Sequence, residues 1–223
     1  MTHGRQTKNR IFEQFARIGH AMASPKRLEL LDLLCQSEKT VDTLARDTTL
    51  TVANTSRHLQ ILRTARLVET RRQGLFIYYR LADKEVCRFF RSLSGLAASR
   101  LAEVDQIVRD YFDQPSKLQP IDRKKLLKKA RLGEVIILDV RPNEEYISGH
   151  IPYAQSVPLS QLKNHLVQFS PDRMIVAYCR GPYCVLAQEA VKILRNHGLE
   201  AMRLADDPSS WAEAGLSIVA GEK

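Results

Sequence analysis

The first half of the chain carries apolar residues at the spacing of amphipathic helices. This spacing predicts helices over residues 11–22 and 26–36, and two shorter helices within residues 40–47 and 51–68. A short polar turn separates the last two, which is the spacing of a helix-turn-helix unit. Residues 69–81 then predict two strands around a Gln-Gly turn, a hairpin of the kind called a wing.

A long amphipathic segment follows the hairpin. Residues 83–113 carry more apolar surface than one small domain needs. Residues 113–117, with Pro115, break the pattern and predict a linker. The polar residues 1–9 predict a disordered tail, so the first domain is expected to span residues 10–112.

Strands alternate with helices in the second half of the chain. Apolar runs predict strands at residues 135–138, 174–177 and 201–204, with helices near residues 159–165 and 186–197. Such alternation is typical of a parallel α/β sheet, whose sites lie at the carboxyl ends of strands. The predicted fold class is therefore mixed: a mainly α winged helix-turn-helix domain followed by an α/β domain with a parallel sheet.

The formal charge of +9 is unevenly distributed. Residues 1–117 contain 20 basic and 13 acidic residues, whereas residues 118–223 contain 14 and 12. Excess positive charge in one half indicates either a polyanionic partner or a solvated basic face. No apolar run has the length of a membrane span and the N-terminus is polar, so we expect a soluble, cytoplasmic protein without membrane association. Four scattered cysteines argue against a secreted disulfide framework and favour thiol chemistry in a reducing compartment.

A thiol lies where the second predicted strand meets the helix that follows it. Cys179 begins a loop over residues 179–184, hereafter the thiol loop, which contains Gly181 and Pro182. Backbone N–H groups and the positive end of the helix dipole are expected to lower the pKa of Cys179, and Arg180 adds positive charge. A thiolate in that position is a nucleophile or a sulfur carrier. The alternative is a small buried residue at a strand end.

Sequence blocks around this loop resemble the rhodanese family. The resemblance covers residues 118–222 and rests on Asp139-Val140-Arg141, Glu145-Tyr146, Gly149-His150-Ile151-Pro152 and the closing segment 211–219. It implies a rhodanese-like domain in which Cys179 accepts a sulfane sulfur as a persulfide, without a cofactor, from thiosulfate or a low-molecular-weight persulfide. It also implies that the catalytic residues are Cys179, Arg180, Asp139 and Arg141. The loop residues that would enclose the persulfide are Gly181, Pro182, Tyr183 and Cys184.

The chain departs from the rhodanese pattern at two positions that matter for the site. Tyr153 stands where the family often has glycine, and Cys184 ends the loop where many thiosulfate-using members have a basic residue. Cys184 has two possible roles. Either it attacks a persulfide on Cys179, giving a disulfide and hydrosulfide, or it begins the next helix and packs into the core.

The first half of the chain resembles the ArsR-type winged-helix repressors over residues 10–112. The resemblance rests on Ser56-Arg57-His58-Leu59, Arg71-Arg72-Gln73-Gly74 and Tyr78-Tyr79-Arg80-Leu81. It implies a homodimer, formed by the long amphipathic segment and the first helix, that binds a double-stranded DNA operator. The expected DNA-binding residues lie at the front of the second short helix and on the wing, and are Val52, Asn54, Thr55, Ser56, Arg57, His58, Arg71 and Arg72.

Many ArsR-type proteins are metal sensors, but this sequence lacks their ligands. Residues 40–47 have no Cys-x-Cys box, and Asp83 and Glu85 lack the downstream histidines that complete a zinc-type site, so we expect no metal. Cys35 and Cys87 are either buried structural residues or a redox-sensing pair, as in relatives that sense persulfides or oxidants.

Together these patterns predict an ArsR-type DNA-binding repressor that carries a rhodanese-like domain and regulates genes of sulfur metabolism or thiol stress. Sulfurtransferase activity through a Cys179 persulfide is expected to accompany it. Two alternatives stay open: a stand-alone sulfurtransferase, or a thiol-based arsenate reductase, whose winged helix serves mainly for dimerisation.

Overall fold

The computed structural model describes residues 3–112 and 122–221. The chain divides into two compact units, residues 1–97 and 98–223. The predicted fold class is confirmed, because a winged helix-turn-helix unit precedes an α/β unit with a parallel sheet. The division falls before the predicted domain boundary at residue 112, and the predicted linker lies outside the described residues.

The first unit combines helices with a small antiparallel sheet. Its elements are α1 (His3–Met22), α2 (Pro25–Gln36), β1 (Lys39–Thr40), α3 (Val41–Asp47), α4 (Val52–Thr64), β2 (Val68–Gln73), β3 (Phe76–Leu81) and most of α5 (Lys84–Arg100). β2 and β3 pair antiparallel as the predicted wing, and β1 pairs with the other edge of β3. Fully buried leucines of α2, α3 and α4 form the core, and they are Leu30, Leu31, Leu44, Leu59 and Leu62.

Residues 3–9 are helical, so the predicted disordered tail over residues 1–9 is wrong for the part that the structure describes. α1 begins at His3, and its side chains are exposed as far as residue 17. No proline interrupts this segment, and extending a helix that has already formed requires no new nucleation. The predicted helix at residues 11–22 therefore continues through the polar residues before it.

The amphipathic segment predicted over residues 83–113 consists of two helices. α5 ends at Arg100, and α6 spans Ala102–Tyr111. At Leu101, between them, φ is −107° and ψ is 103°, an extended conformation that interrupts the helical hydrogen bonds. α6 belongs to the second unit.

The second unit is a parallel sheet covered by helices on both faces. After α6 it contains α7 (Arg123–Arg131), β4 (Val135–Asp139), α8 (Asn143–Ser148), β5 (Ala154–Ser156), α9 (Leu162–His165), β6 (Met174–Tyr178), α10 (Leu186–Asn196), β7 (Ala201–Arg203) and α11 (Pro208–Glu213). The strand order is β5-β4-β6-β7, with every pair parallel. Leu138 and Ala177 pack with α10, whereas Ile137 and Val176 pack with the core that contains Trp211. Successive residues of a strand point to opposite faces, so both faces of β4 and β6 are buried.

Candidate functional site

The thiol loop begins at the carboxyl end of β6. β6 lies between β4 and β7, so the ends of three parallel strands meet beside Cys179. Cys179 is only 1% exposed, and its thiol donates to the backbone oxygen of Cys184 with an S···O distance of 3.4 Å. The position of Cys179 at a strand end is therefore as the sequence predicted, and the first and last residues of the loop are in contact.

The two thiols of the loop differ in how readily they lose a proton. Burial raises the pKa of Cys179 well above its usual value, contrary to the predicted lowering, because desolvation outweighs the backbone N–H groups of Ala187 and Arg180. The hydrogen bond from the Cys179 side chain lowers the pKa of Cys184 to about 6, and the backbone N–H groups of Arg180 and Leu186 contribute. At neutral pH the thiolate of the unloaded loop is therefore on Cys184.

Arg180 is bonded to α8. Its Nε atom donates to both carboxylate oxygens of Glu145 at 3.1 and 3.0 Å, and its Nη2 atom donates to Oε1 at 2.7 Å. The Glu145 side chain is fully buried, so this charge-assisted fork fixes the second residue of the loop against the body of the domain. The Arg180 charge still contributes to the low pKa of Cys184.

Asp139 and Arg141 form a buried ion pair at the end of β4. The Arg141 Nη2 atom donates to Asp139 Oδ2 at 2.7 Å and to the Gly149 backbone oxygen at 2.8 Å. The Tyr178 hydroxyl donates to the same carboxylate at 2.5 Å. Burial disfavours the guanidinium, but the Asp139 charge raises the pKa of Arg141 above its usual value. These contacts point to a positioning role for two residues that the sequence assigned to catalysis, because they join β4, β6 and the Gly149 turn.

Arg203 is a site residue that the sequence analysis missed. It ends β7, is 7% exposed, and its Nη1 atom donates to the backbone oxygen of Pro182 at 2.9 Å. Its guanidinium carbon lies 4.2 Å from the centre of the Phe112 ring. The buried Nε atom has no hydrogen-bond partner within the described residues. Carboxyl ends of neighbouring parallel strands converge, which is the signal that could have identified Arg203.

Gly181 of the thiol loop and Tyr153, which follows the Gly149-His150-Ile151-Pro152 block, both have a positive φ. Gly181 has φ 118°, a value that residues with a side chain rarely adopt, and an added Cβ would approach Asp207. Tyr153 has φ 66°, which explains why glycine is common there in rhodaneses. The tyrosine accepts a left-handed backbone at a cost of about 1 kcal/mol.

The exposed face of α4 carries most of the predicted base-contacting residues. Exposed or half-buried positions are Val52, Asn54, Ser56, Arg57 and His58. Thr55 is fully buried, and its Oγ1 atom donates to the backbone oxygen of Thr51 at 3.0 Å, so its prediction as a DNA contact is wrong. The helical period turns residue 55 to the same side as the buried Leu59, four positions later.

His58 is half-buried, and its Nδ1 atom has no hydrogen-bond partner among the described residues. Burial lowers the pKa of His58 below its usual value, and the nearby charges of Arg27 and Arg57 lower it further. The imidazole is therefore neutral at pH 7. It offers nucleic acid a neutral donor or acceptor and adds no positive charge.

Arg71 and Arg72, the two wing arginines predicted to contact DNA, differ in how open their charge is to solvent, whereas Arg80 on β3 pairs with Glu69. Arg71 forms a bidentate contact with Glu38, in which Nε donates to Oε2 at 3.0 Å and Nη2 donates to Oε1. This hydrogen bond lowers the pKa of Glu38, which keeps the carboxylate charged. Arg72 is exposed, and its Nε atom donates to the Gly74 backbone oxygen at 3.2 Å. Arg72 is therefore the wing arginine with its charge open to solvent.

Cys35 on α2 and Cys87 on α5 are joined by a disulfide. Their Cα atoms lie 5.6 Å apart, which is within the usual range for such bonds. The bond links residues 52 positions apart within the first unit. Both cysteines are half-buried, so the alternative of two buried residues is not what the structure shows.

Neither a metal site nor a membrane span is found in the part of the chain that the structure describes. Among residues 3–112 and 122–221, no group of three or more His, Cys, Asp or Glu residues could hold a metal ion. Within the same ranges, no helix combines the length and the apolar character required to cross a membrane.

The protein has two domains: a winged helix-turn-helix unit, the fold of many transcriptional regulators, and a parallel-sheet unit with a thiol loop at a strand end. The family "Bacterial regulatory protein, arsR family" matches residues 24–70, and the "Rhodanese-like domain" family matches residues 122–214. These matches agree with both resemblances seen in the sequence.

One relative aligns over nearly the whole chain. The HTH-type transcriptional regulator Rv0324 of Mycobacterium tuberculosis is 42% identical over 214 residues, which cover 96% of this chain and 94% of that protein. A sulfurtransferase of Allochromatium vinosum is 30% identical over 94 residues, covering 42% of this chain and 86% of that protein. The solution structure of the homodimeric winged helix-turn-helix DNA-binding domain of Mb0332 from Mycobacterium bovis is 39% identical, covers 42% of this chain and 87% of that one, and superposes with a TM-score of 0.41.

The chain belongs to the ArsR family of helix-turn-helix transcriptional regulators, in a form that carries a C-terminal rhodanese-like domain.

Proposed function

We propose that this regulator is a homodimeric repressor that binds operator DNA and accepts a sulfane sulfur on Cys179. The observation that carries the sulfur part is the position of Cys179, which is buried at the end of β6, faced by backbone N–H groups, and in contact with a second thiol. The proposed target genes are those of sulfur metabolism or thiol stress, because a regulator that carries a sulfur-accepting domain would respond to the compounds that load it.

Sulfur uptake is an exchange of one S–S bond for another. The Cys184 thiolate, which is hydrogen-bonded to the Cys179 side chain, takes the Cys179 proton as the Cys179 sulfur attacks the outer, sulfane sulfur of a low-molecular-weight persulfide. The inner sulfur of the donor leaves as a thiolate. Thiosulfate would release sulfite in the same way. The outer sulfur remains on Cys179, where the N–H groups of Arg180 and Ala187 stabilise its negative charge. No cofactor is required, because the electrons of the broken bond leave with the donor.

Sulfur uptake is expected at Cys179 and nowhere else in the thiol loop. Reduced protein is treated with thiosulfate or glutathione persulfide, digested with trypsin and mapped by mass spectrometry. One added sulfur atom is expected on the peptide that contains Cys179, and Cys179→Ser is expected to lack it, because serine forms no persulfide. Addition confined to Cys35 or Cys87 would contradict the proposal.

DNA binding and dimer formation are supported by exposed charges and by exposed apolar residues. The exposed face of α4 carries Asn54 and Arg57, residue types that read base edges in the major groove. Phe12 and Phe15 on α1 are 58% and 64% exposed, and Phe89 on α5 is 50% exposed. Such apolar surface on two helices of a small unit supports a partner subunit that covers it.

The salt dependence of operator binding is expected to separate the two wing arginines. Arg72→Ala is expected to reduce the slope of log affinity against log salt by about one, because an exposed arginine on a phosphate releases about one counterion. Arg71→Ala is expected to change the slope less, because Glu38 already neutralises that charge. The slope is measured by fluorescence anisotropy on DNA from the promoter of the protein's own operon.

Arg57→Ala provides the comparison on the reading helix. Its affinity is expected to fall more for the operator than for unrelated DNA, because base contacts carry the sequence information. If Arg72→Ala and the unsubstituted protein had equal slopes of log affinity against log salt, the assignment of the wing to the DNA interface would be wrong.

The disulfide between Cys35 and Cys87 extends the proposal to redox sensing in the first unit. The bond joins α2, which supplies core leucines, to α5, which continues toward the second unit. Oxidation and reduction of this pair are thereby proposed to act on the packing of the DNA-binding unit.

A further inference from the structure

We infer that Cys184 is a second reacting residue, which releases the sulfur held by Cys179 as hydrosulfide and leaves a disulfide between the two loop cysteines. The inference rests on the proposed uptake of sulfur by Cys179. It makes the rhodanese-like domain a converter of sulfane sulfur to hydrosulfide. Low-molecular-weight persulfides are then its substrate class, and a dithiol reductant is needed to complete each cycle.

The loop folds back so that its last residue covers its first. The backbone N–H of Cys184 donates to the Gly181 oxygen at 3.3 Å, which closes the turn. The Cys179 thiol reaches the Cys184 backbone oxygen at 3.4 Å, and the side chains of the two cysteines also share a hydrogen bond. The two thiols are therefore neighbours across a closed turn, which is the arrangement that a disulfide between them requires.

The charge of the loop favours attack by Cys184. In the unloaded loop the pKa of Cys184 is about 6, lowered first by the hydrogen bond from the Cys179 side chain and then by the backbone N–H groups of Arg180 and Leu186. Those N–H groups do not depend on the Cys179 thiol, and Cys184 is less buried than Cys179. Arg180 and the buried Arg203 place two positive charges near the sulfurs. The same charges stabilise hydrosulfide as it leaves.

The second half of the loop has room to make the required movement. Tyr183 and Val185, on either side of Cys184, are 48% and 40% exposed. Gly181 lies next to the turn and has a positive φ, a backbone conformation that residues with a side chain rarely adopt. Arg203 donates to the Pro182 backbone oxygen, which anchors the middle of the loop and leaves the segment after it as the part expected to move.

The release step balances without a further reagent. The Cys184 thiolate attacks the inner sulfur of the persulfide, which is the Cys179 Sγ atom, and the bond from that atom to the outer sulfur breaks. The outer sulfur takes the electron pair and leaves as hydrosulfide, so it is reduced while the two cysteines are oxidised to a disulfide. A dithiol reductant then restores both thiols.

Trypsin separates the two cysteines, which gives a direct assay. Cleavage after Arg173, Arg180 and Lys192 yields peptides 174–180 and 181–192, each with one cysteine.

Reduced full-length protein and Cys184→Ser are loaded with glutathione persulfide without oxygen, desalted, and followed for hydrosulfide with no thiol added. The unsubstituted protein is expected to release hydrosulfide and to yield the two peptides joined by a disulfide. Cys184→Ser is expected to retain the sulfur on Cys179 and to release it on the order of 100-fold more slowly, because the neighbouring thiol is lost.

The outcomes distinguish this inference from the proposal on which it rests. If both proteins load Cys179 and retain the sulfur equally, or if the sulfur is found on Cys184 without a disulfide, the release role of Cys184 is overturned while uptake stands. If neither protein loads Cys179, uptake itself fails, and the inference fails with it.

A pH profile provides a readout that a packing role would not change. Release from the loaded protein is expected to rise with pH through the range in which Cys184 loses its proton, about 6 in the unloaded loop, and then to level off. The titratable and charged groups around this thiol are Cys179, Arg180, Arg203 and, beside Gly181, Asp207. A flat profile would overturn attack by a Cys184 thiolate.

Discussion

Reduction of the Cys35–Cys87 disulfide is expected to lower the free energy of unfolding of the DNA-binding unit by about 4 kcal/mol. The bond links residues 52 positions apart, and cross-linking a segment of that length restricts the unfolded chain. Domains of this size are stable by only about 5–15 kcal/mol, so the loss would be a large fraction of the total. The reduced unit is therefore expected to unfold at a clearly lower denaturant concentration.

The measurement is guanidinium unfolding of the full chain with and without dithiothreitol. Far-UV circular dichroism follows the helices, and tryptophan fluorescence follows only the second unit, because Trp211 is the single tryptophan and is fully buried there. Cys87→Ser is expected to match the reduced protein under both conditions. Coincident circular dichroism transitions for the oxidised and reduced forms would show that the bond does not stabilise the unit.

Operator affinity in the same two states separates a sensor from a structural bond. A sensor pair requires that oxidation change the affinity, because a ligand or modification shifts an equilibrium only through a difference in free energy between states. Equal affinity of the oxidised and reduced proteins would leave the disulfide with a purely stabilising role.

Asp139→Ala is expected to lower the free energy of unfolding of the rhodanese-like domain by about 3–5 kcal/mol. The Asp139 and Arg141 side chains are 0% and 1% exposed, so removal of the carboxylate leaves a buried guanidinium without its ion-pair partner. The Tyr178 hydroxyl loses its acceptor in the same substitution. Trp211 fluorescence in guanidinium measures the effect within this domain.

Asp206→Ala is the matched control for this substitution. Asp206 also pairs with an arginine in a bidentate contact, but the side chains of Arg123 and Asp206 are 36% and 19% exposed. Water compensates part of such a loss, so a change of about 1 kcal/mol or less is expected. If both substitutions lowered the free energy of unfolding equally, burial would not explain the contribution of the Asp139–Arg141 pair to stability.

The parts of the fold that the sequence predicted are those with a local signal. Helical spacing, the Gln-Gly turn and apolar runs predict the wing and the central strands, because those patterns reflect which faces are buried. β5 was missed because Ala154 is the single apolar residue among its three, so it forms no apolar run. The position of Cys179 was predicted because a strand followed by a Gly-Pro loop and a helix determines where the thiol must lie.

The contacts that the sequence could not predict join residues far apart in the chain. Glu38 pairs with Arg71 across the β1–β3–β2 sheet, and neither residue type nor spacing indicates this. The order of the two thiol pKa values also depends on tertiary structure, because Cys179 is desolvated by packing, which sequence spacing does not measure. Thr55 is a different case, because its spacing of four residues from Leu59 is a sequence signal for burial that the prediction overlooked.

Arg203 contacts both Pro182 and Phe112, and it can therefore link the state of the thiol loop to the packing of the Phe112 ring. One guanidinium bonds the thiol loop and lies on the ring that follows α6. Any difference in the Arg203 position between the sulfur-loaded and sulfur-free loop is therefore also a difference in the energy of holding Phe112. Thermodynamic reciprocity requires that restraint of Phe112 change the affinity of the loop for sulfur by the same factor. If Cys179 accepts sulfur as proposed, a change at the ring that follows α6 is expected to alter sulfur uptake by the thiol loop, and sulfur uptake is expected to alter the packing of that ring.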